Sequence, residues 1–587
     1  LLMPRNKVLE KAKVSMPSGR NAVDLSQEKS FAQYAADLNV CYVQPAVAGT
    51  KGQISRKCFT RTADVISPAF HRVTEHFDFF VVPIHALWRA WENWKLNIND
   101  MQDTNLVEFL SDGTGPDLSL SQYCPRMDFN NLAYKCGLKQ SVSADNARKM
   151  NDMLRLVEQL RYGCMSDVIQ VGGQSTILNL FKIAAYQKVY FDHYRNTAYE
   201  SNNPYAYNLD WLYQGNGTEG LLSPGLMTPG STKADYVAQQ LFTMRRVNYR
   251  NDYFHNIYPA LNYVSSIPQG TTFNVPSFVG GVQQGSGNMI VGPSSTGADS
   301  RPLIQTITGS SLNSAFVNVQ SIRAAFALDK LLRASAYAPK HVRDQYKALY
   351  GVEGVEDFDM KSERIGSFQS DVQFIEVTNM AQSSSANLGD LGAKGVGSKE
   401  NEKPISYYCK YDSIIIGLHY FLPRARYDAL GIDPWNIKIA REDFYIKAFE
   451  NLGLRPFYLH YIDGEGNRST QVGWTVPNFE YKILPDVNEG PFKQFIWQIN
   501  TNSDDDAYIV NHSLGALRSF VPHVDAVFDD STIGTAEYFK ASPEDLDTLF
   551  VVAVDPAHLI SEYQFYGDFR IMNAAVVPMS IHGQPSL

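Results

Sequence analysis

His71–Trp94, HRVTEHFDFFVVPIHALWRAWENW, is the stretch whose reading decides the fold. From Val73 onward, Phe77, Phe79 and Val81 fall two apart. They share one face of a pleated strand, because successive strand side chains point to opposite sides. Phe80 and Val82 make the other face apolar as well. A strand apolar on both faces has to be covered on both, in a sandwich core or under a neighbouring layer. Pro83 has no N–H to donate and ends the ladder. Leu87, Trp91 and Trp94 then recur at the spacing of one helical stripe, which predicts a short helix after the strand. Trp88, Trp91 and Trp94 concentrate a large aromatic area there.

The rest of the chain has the composition of a β-rich protein with long loops. Of its 587 residues 12% are aromatic and 19% charged, with 40 Gly and 28 Pro, a balance that favours strands and turns. A formal net charge of −9 argues against a generic polyanion binder. Cys41, Cys58, Cys124, Cys136, Cys164 and Cys409 form no Cys-x-x-Cys pair, so neither a zinc ribbon nor a disulfide scaffold is expected. They read as reduced thiols of a chain made in a cytoplasm. No apolar run is long enough for a transmembrane helix, and no membrane insertion is expected. The start, LLMPRNKVLEKAKV, lacks the apolar core and cleavage site of a secretory signal.

Residues 1–50 read as an N-terminal extended arm and 51–587 as the body. Arg5, Lys7, Lys11, Lys13 and Arg20 are opposed by Glu10 alone over the first twenty residues. This is either a solvated terminus or a basic arm that touches phosphate. QISRKCFTRTADVI (53–66) has strand propensity. Insertions are expected at about 95–235, 265–311 and 381–404. The first contains a helical patch at 144–162 and a helix over 177–195, with Leu178, Phe181, Ala185 and Val189 on its stripe. Met244–Ile257 reads as a basic strand carrying Arg245, Arg246 and Arg250, solvated, ion-paired or facing packaged DNA. Residues 265–311 have only Asp299 and Arg301 as charges, with isolated Phe273, Phe278, Met289 and Ile290, and are too long for an ordinary connector. SYYCKYDSIIIGLHYFLPR, from Ser406, reads as a strand pair around a turn near Asp412. Tyr458–Trp474 reads as a hairpin. Tyr563, Phe565, Phe569 and Ile571 alternate with Gln564, Asp568 and Arg570, a last strand. The fold class expected from this pattern is mainly β: a single eight-stranded antiparallel jelly-roll β-sandwich with long helix- and loop-containing insertions.

Several blocks, in order, carry a resemblance. They are Asp24-Leu25-Ser26, FDFFVVPIHALWRAWENW, AYQKVYFDHYRN, the Arg-rich block ending in Asp252-Tyr253-Phe254, SIRAAFALDKLLRASAY with HVRDQYKALYGVE, Ile414–Gly417, and Val577-Pro578-Met579-Ser580 with Gly583 and Pro585. Together they resemble the major capsid proteins of microviruses of the gokushovirus type. The chain departs from that pattern at PAVAGT (45–50), where the family has a tighter Pro-Gly-Asp turn. It also has His193 in place of an aromatic residue and Val577 in place of an Arg. The resemblance implies a self-assembling T=1 icosahedral shell around a circular single-stranded DNA genome, a virion assembled in the cytoplasm of a bacterial host. It also implies a small basic DNA-packaging protein as partner. Phe273, Phe278, Met289 and Ile290 would then lie on a surface protrusion that touches a host receptor or glycan. Arg5, Lys7, Lys11, Lys13 and Arg20 would face DNA. No catalytic, cofactor-binding or metal residue is implied, and no enzyme activity.

Other patterns are weaker. His71-x-x-x-Glu75-His76 is not a zincin spacing, and Gly392–Lys399 lacks the Gly-Lys-Ser/Thr of a phosphate loop. Asp504–Asp506 lacks the turn glycine and bidentate Glu of a calcium loop. The rival reading is a bacterial surface carbohydrate-binding or glycoside-hydrolase β-sandwich, for which aromatic loops would suit sugar stacking. No persuasive pair of carboxylates supports it.

Overall fold

The computed structural model describes residues 19–65, 72–96, 124–129, 144–163, most of 177–212, parts of 240–258, short stretches between 282 and 352, 361–378, 391–399, most of 403–447, 454–461, 471–490, Lys540, Ala541, Phe550 and 563–579. The chain divides into two units, one formed by Leu1–Pro259 with Met360–Leu587 and the other by Ala260–Asp359.

The first unit is mainly β, built on a curled antiparallel sheet of ten strands. Its strands are β1 (Asn21–Asp24), β2 (Gln27–Gln33), β3 (Asn39–Ala46), β4 (Lys51–Val65) and β5 (Val73–Pro83). From the second half of the chain come β11 (Glu363–Thr378), β12 (Leu391–Lys399), β13 (Ile405–Tyr408), β14 (Ser413–Pro423) and β19 (Phe565–Val577). The other strands among the described residues, β6 (Arg126–Asp128), β7 (Ile177–Asn179), β8 (Val282–Gly285), β9 (Asn288–Val291), β10 (Thr306–Thr308), β15 (Tyr427–Asp428), β16 (Arg455–Tyr458), β17 (Gln471–Thr475) and β18 (Val487–Asn488), form smaller sheets. The order is β1-β19-β4-β12-β11-β5-β14-β3, with β2 also on β19 and β13 also on β4. β11 changes partner along its length. Glu363–Val372 pair with β5 and Gln373–Thr378 pair with β12. A strand that passes from one set of partners to another is how a sheet turns a corner.

The two arms of the curl meet face to face. Phe77 of β5 lies 5.5 Å from Phe569 of β19, and Phe421 of β14 stacks on Phe565 at 4.1 Å. Phe77, Phe79 and Val81 point into this interior with Ile54, Ile415 and Ile571. Phe80 and Val82 point the other way, into a layer of helices. The two-faced apolar pattern of β5 therefore reports two cores, one on each side. β14 is buried along its whole length for the same reason. At Gly417 a Cβ would lie 2.8 Å from the Phe79 ring and 3.0 Å from the Tyr42 Cβ. Only glycine lets the backbones approach there. The register of β14 against β3 shifts at that point, which sends both Cys41 and Tyr42 inward.

The helical layer consists of α1 (Trp91–Leu96), α2 (Ala144–Gln159) and α3 (Phe181–Val189), the last continuing into a π turn at Tyr190–Tyr194. The helix expected from Leu87 starts later, because Ile84–Ala86 form a 3-10 turn after Pro83. The tryptophans pack on one another, with Trp91 and Trp94 5.7 Å apart and Trp91 5.2 Å from Phe181. The helix expected over 177–195 is shorter, since Ile177–Asn179 pair as a strand with Arg126–Asp128. α3 is buried nearly all round rather than on one stripe.

Four expectations change. Residues 21–46, within the stretch read as an arm, supply β1, β2 and the core strand β3. Residues 391–399, within the insertion read at 381–404, form β12, which pairs with β4 and β11. Its glycines hid it. At Gly395 a Cβ would lie 2.5 Å from Thr62 Cγ2, so a small residue is required where a side chain of higher strand propensity would have been readable. β13 and β14 flank a turn at Asp412 but do not pair with each other. β13 joins β4, and β14 joins β5 and β3. Among the described residues of the basic run at 244–257 there is no regular strand, only isolated bridges such as Asp37↔Arg246. The hairpin around 458–474 is present, as Arg455–Tyr458 against Gln471–Thr475.

The outer edge of β3 is closed by side chains. Gln159 Oε1 accepts from the Val40 N–H at 2.9 Å, and Lys29 Nζ donates to the Val40 carbonyl at 2.6 Å. An unpaired buried N–H costs about 1–3 kcal/mol. Gln159→Ala is expected to lower stability by that amount, read from the urea midpoint of the full chain.

In the second unit, Val282–Gly285, Asn288–Val291 and Thr306–Thr308 form a three-stranded antiparallel sheet. Val342–Tyr350 form a helix.

Candidate functional site

The interior between the two arms of the sheet carries a carboxylate. Glu75 lies in β5 just before its aromatic run, and its side chain is wholly buried. Its Oε1 accepts from Thr60 Oγ1 at 2.8 Å and His419 Nε2 at 3.0 Å, and its Oε2 from Ser370 Oγ at 2.7 Å. Gln33 Nε2 donates to His419 Nδ1 at 2.7 Å, which fixes the tautomer with the proton on Nε2. β5, β4, β14, β11 and β2 all contribute, so the cluster ties the two arms together. Burial pushes the Glu75 carboxyl up, but hydrogen bonds from His419, Ser370 and Thr60 outweigh it and hold it well below the usual carboxylate range. Burial lowers His419. The pair is an ionised carboxylate hydrogen-bonded by a neutral imidazole. Acid–base chemistry needs access for a substrate, and both side chains are sealed at 0% exposure.

Adjacent positions on β5 point to the other side and build a second cluster. Asp78 accepts from Tyr194 Oη at 2.7 Å, Tyr420 Oη at 3.1 Å and Arg364 Nη2 at 2.6 Å. His76 stacks on Tyr420 at 4.8 Å and its Nε2 accepts from Arg250 at 3.3 Å. Strand alternation thus separates Glu75 from His76, which rules out a shared ligand set for them. Among the described residues no group of three or more His, Cys, Asp or Glu is arranged to hold a metal ion. The π turn clamps the start of β11, because Asp192 accepts from the Ser362 N–H and hydroxyl and His193 Nε2 donates to the Ser362 carbonyl at 2.8 Å.

Burial lowers His76 to about 4. A histidine whose pKa is depressed by folding stays neutral in the fold and protonates in the unfolded chain near 6.5. Its contribution is therefore complete above about pH 6.5 and is lost as pH falls towards 4, by roughly 1.4 kcal/mol per pH unit. His419 acts in the same direction. Glu75, also depressed, adds its loss only below the ordinary carboxylate range. Urea midpoints are expected to stay level from pH 7.5 to about 6.5 and to fall from there to pH 4.5. His76→Phe is expected to remove one group's share of that slope.

Two surfaces of the first unit stand out. Around the short helix Pro434–Ile437, Ile439 is 90% and Leu484 85% exposed, beside half-exposed Trp435, Tyr445 and Tyr481. Trp435 and Tyr481 meet edge to face at 5.2 Å, and Lys438, paired with Glu480, lies over both rings. The apolar residues of this patch follow neither strand nor helix period, so sequence reasoning missed it. The other surface is the outer side of β4 and β19. There the helical layer that covers β5, β14 and β3 is replaced by the exposed side chains of Phe59, Arg61, Tyr566 and Arg570.

Of the residues expected to face DNA, Arg20 is exposed immediately before β1. Arg5, Lys7, Lys11 and Lys13 lie outside the described residues. Of those expected on the host-contacting protrusion, Met289 and Ile290 sit in the middle strand of the second unit's sheet, opposite Gln284 and Gln283. Phe273 and Phe278 lie outside the described residues, as does Asp504–Asp506. Of the arginines at 245–250, Arg245 is buried, Arg246 is half-buried and Arg250 is exposed. Arg245 Nε donates to Gln187 at 2.7 Å, and Arg246 pairs with Asp37 at 3.6 Å. No helix among the described residues is long and apolar enough to cross a membrane. Comparison of the chain with protein-family models and with curated proteins gives no match.

Proposed function

We propose that the chain is the major capsid protein of a small T=1 icosahedral virion enclosing circular single-stranded DNA, its curled sheet being the jelly roll of one wall tile. The reading draws on the ordered sequence blocks that resemble microvirus capsid proteins. The observation that carries it furthest is the contrast between a closed, polar-locked interior and the bare apolar surface at Ile439 and Leu484. Contiguous exposed patches of that kind mark contact surfaces, and a closed symmetric shell covers them on every copy. In the same reading a small basic protein accompanies the DNA, Arg5–Arg20 point inward, and 265–311 point towards the host.

Size-exclusion chromatography and negative-stain microscopy of the purified full chain test it. Megadalton spheres are expected, and Ile439→Asp with Leu484→Asp is expected to stop assembly while leaving the urea midpoint unchanged. A compact monomer that turns over a small molecule would overturn it. Deleting 265–311 is expected to leave particles but lower attachment to the host. The half-exposed Trp435, Tyr445 and Tyr481 favour one other reading, a glycan-binding β-sandwich. A monomer that binds oligosaccharides through those rings would support that one instead.

A further inference from the structure

The outer side of β4 and β19 has a pattern that the proposed shell does not by itself require. Strand register places Lys57 opposite Arg570, Phe59 opposite Asp568 and Arg61 opposite Tyr566, and directly opposed residues share a face. Their neighbours on β4, from Arg56 to Thr60, alternate inward, so the outward assignment is fixed by the pleat. β12 extends the face with Lys394. Phe59 is 42% and Tyr566 43% exposed, and the Arg61 guanidinium lies 5.0 Å from the Phe59 ring centre.

The carboxylates on this face are already engaged. Asp568 accepts from Ser30 at 2.7 Å, Asp64 pairs with Lys394 at 3.1 Å, and Glu28 pairs with Arg570 at 3.3 Å. All of these ion pairs are solvent-exposed, so they cost little to exchange for another anion. Exposed rings set among cations on an open sheet are what a single-stranded nucleic acid uses, because bases stack on the rings while phosphates meet the cations. A chain with a net charge of −9 has to meet a polyanion through such a local face rather than through its overall field.

We infer that the outer face of β4, β12 and β19, through Lys57, Phe59, Arg61, Lys394, Tyr566 and Arg570, binds single-stranded nucleic acid without sequence preference and forms the genome-facing wall of the tile. The genome-facing part rests on the capsid reading; the binding face does not. A second copy of the chain is the competing occupant. A copy presenting this same face would bring one cation-bearing row up against another.

The test is fluorescence anisotropy of the full chain with labelled oligo(dT) of ~20 nucleotides, longer than the ~4–16 one sheet-based site covers. Phe59→Ala and Tyr566→Ala are each expected to weaken binding about 5- to 100-fold, the size of one lost base stack. Phe59→Tyr is expected to keep it. Arg61→Ala is expected to reduce the slope of log affinity against log salt by about 0.7, one phosphate contact to a single strand. Particle formation is scored separately for every variant by negative stain. Wild-type binding in all the alanine variants would overturn the inference. So would alanine variants that bind normally but no longer assemble, since the face would then be a contact between copies. If wild-type chains never assemble yet the alanine variants lose oligo(dT), the shell reading fails and the binding face stands.

Discussion

Replacing His419 by leucine is expected to lower the stability of the fold by about 3–5 kcal/mol, the cost of stripping one partner from a buried charge. The ring volume is roughly kept, and its neighbours Phe77, Phe421 and Phe569, at 4.4, 4.9 and 4.4 Å, still find an apolar side chain. What goes is the donor to Glu75 Oε1. Thr60 and Ser370 remain, but burial then acts on the carboxyl with less opposition and its pKa rises. The sign follows from that rise. A carboxyl held low in the fold contributes stability that is lost only in strong acid, whereas one raised towards or above its unfolded value loses that contribution and starts to favour protonation of the fold. The acid-unfolding midpoint of His419→Leu is therefore expected at higher pH than that of the wild type. Replacing both partners, Glu75→Leu with His419→Leu, removes the charge as well as its donor, and such swaps are often close to neutral. The double variant is expected to be more stable than the sum of the two single ones by about 1–3 kcal/mol. Urea titrations of the four proteins at pH 7.5 close the cycle. Equal and additive losses would mean that Glu75 and His419 contribute only as packing.

The parts of the fold that were legible are those where side-chain period and burial agree. β5 announces two cores because both of its faces are apolar. β19 announces one interior face because Phe565, Phe569 and Ile571 alternate with Tyr566, Asp568 and Arg570. β12 was not legible, since its glycines answer the closeness of Thr62 and carry no period of their own. β11 was less legible, since its inward row of Gly366, Phe368, Ser370, Val372 and Phe374 interleaves a glycine and a serine with the apolar residues. The polar lock was illegible for another reason. Glu75 and His419 lie 344 positions apart, and a glutamate within a strand reads as its solvent side until the strands opposite are known. The outward row Lys57, Phe59, Arg61 reads in isolation as an ordinary alternating strand. It becomes a candidate surface only when β19 is seen to add Tyr566 and Arg570 beside it.

Phe77→Ala and Phe80→Ala are each expected to cost about 3–5 kcal/mol, the range for deleting a buried ring, but to fail in different places. Phe77 is wholly buried between the two arms of the sheet, 4.4 Å from the guanidinium of Arg56 and 5.5 Å from Phe569. The cavity left there opens beside the Glu75 cluster and separates strands that only side chains hold together, so the loss is global. Amide exchange is expected to speed up across β4, β5, β14 and β19 alike. Phe80 packs outward, 4.8 Å from His193 and 5.9 Å from Tyr194 on the π turn. Its loss frees the helical layer before the sheet, because the ladders that β5 makes with β11 and β14 do not depend on that ring. Exchange is expected to speed up first in α3 and at Ser362, whose N–H is held by Asp192 of the same turn, while the sheet keeps its protection. Phe→Leu at either position is expected to recover more than half of the loss, since most of the buried area returns. If both alanine variants gave one identical exchange pattern, the two sides of β5 would belong to a single cooperative core, and the division of the unit into an inner sheet core and an outer helical one would be wrong.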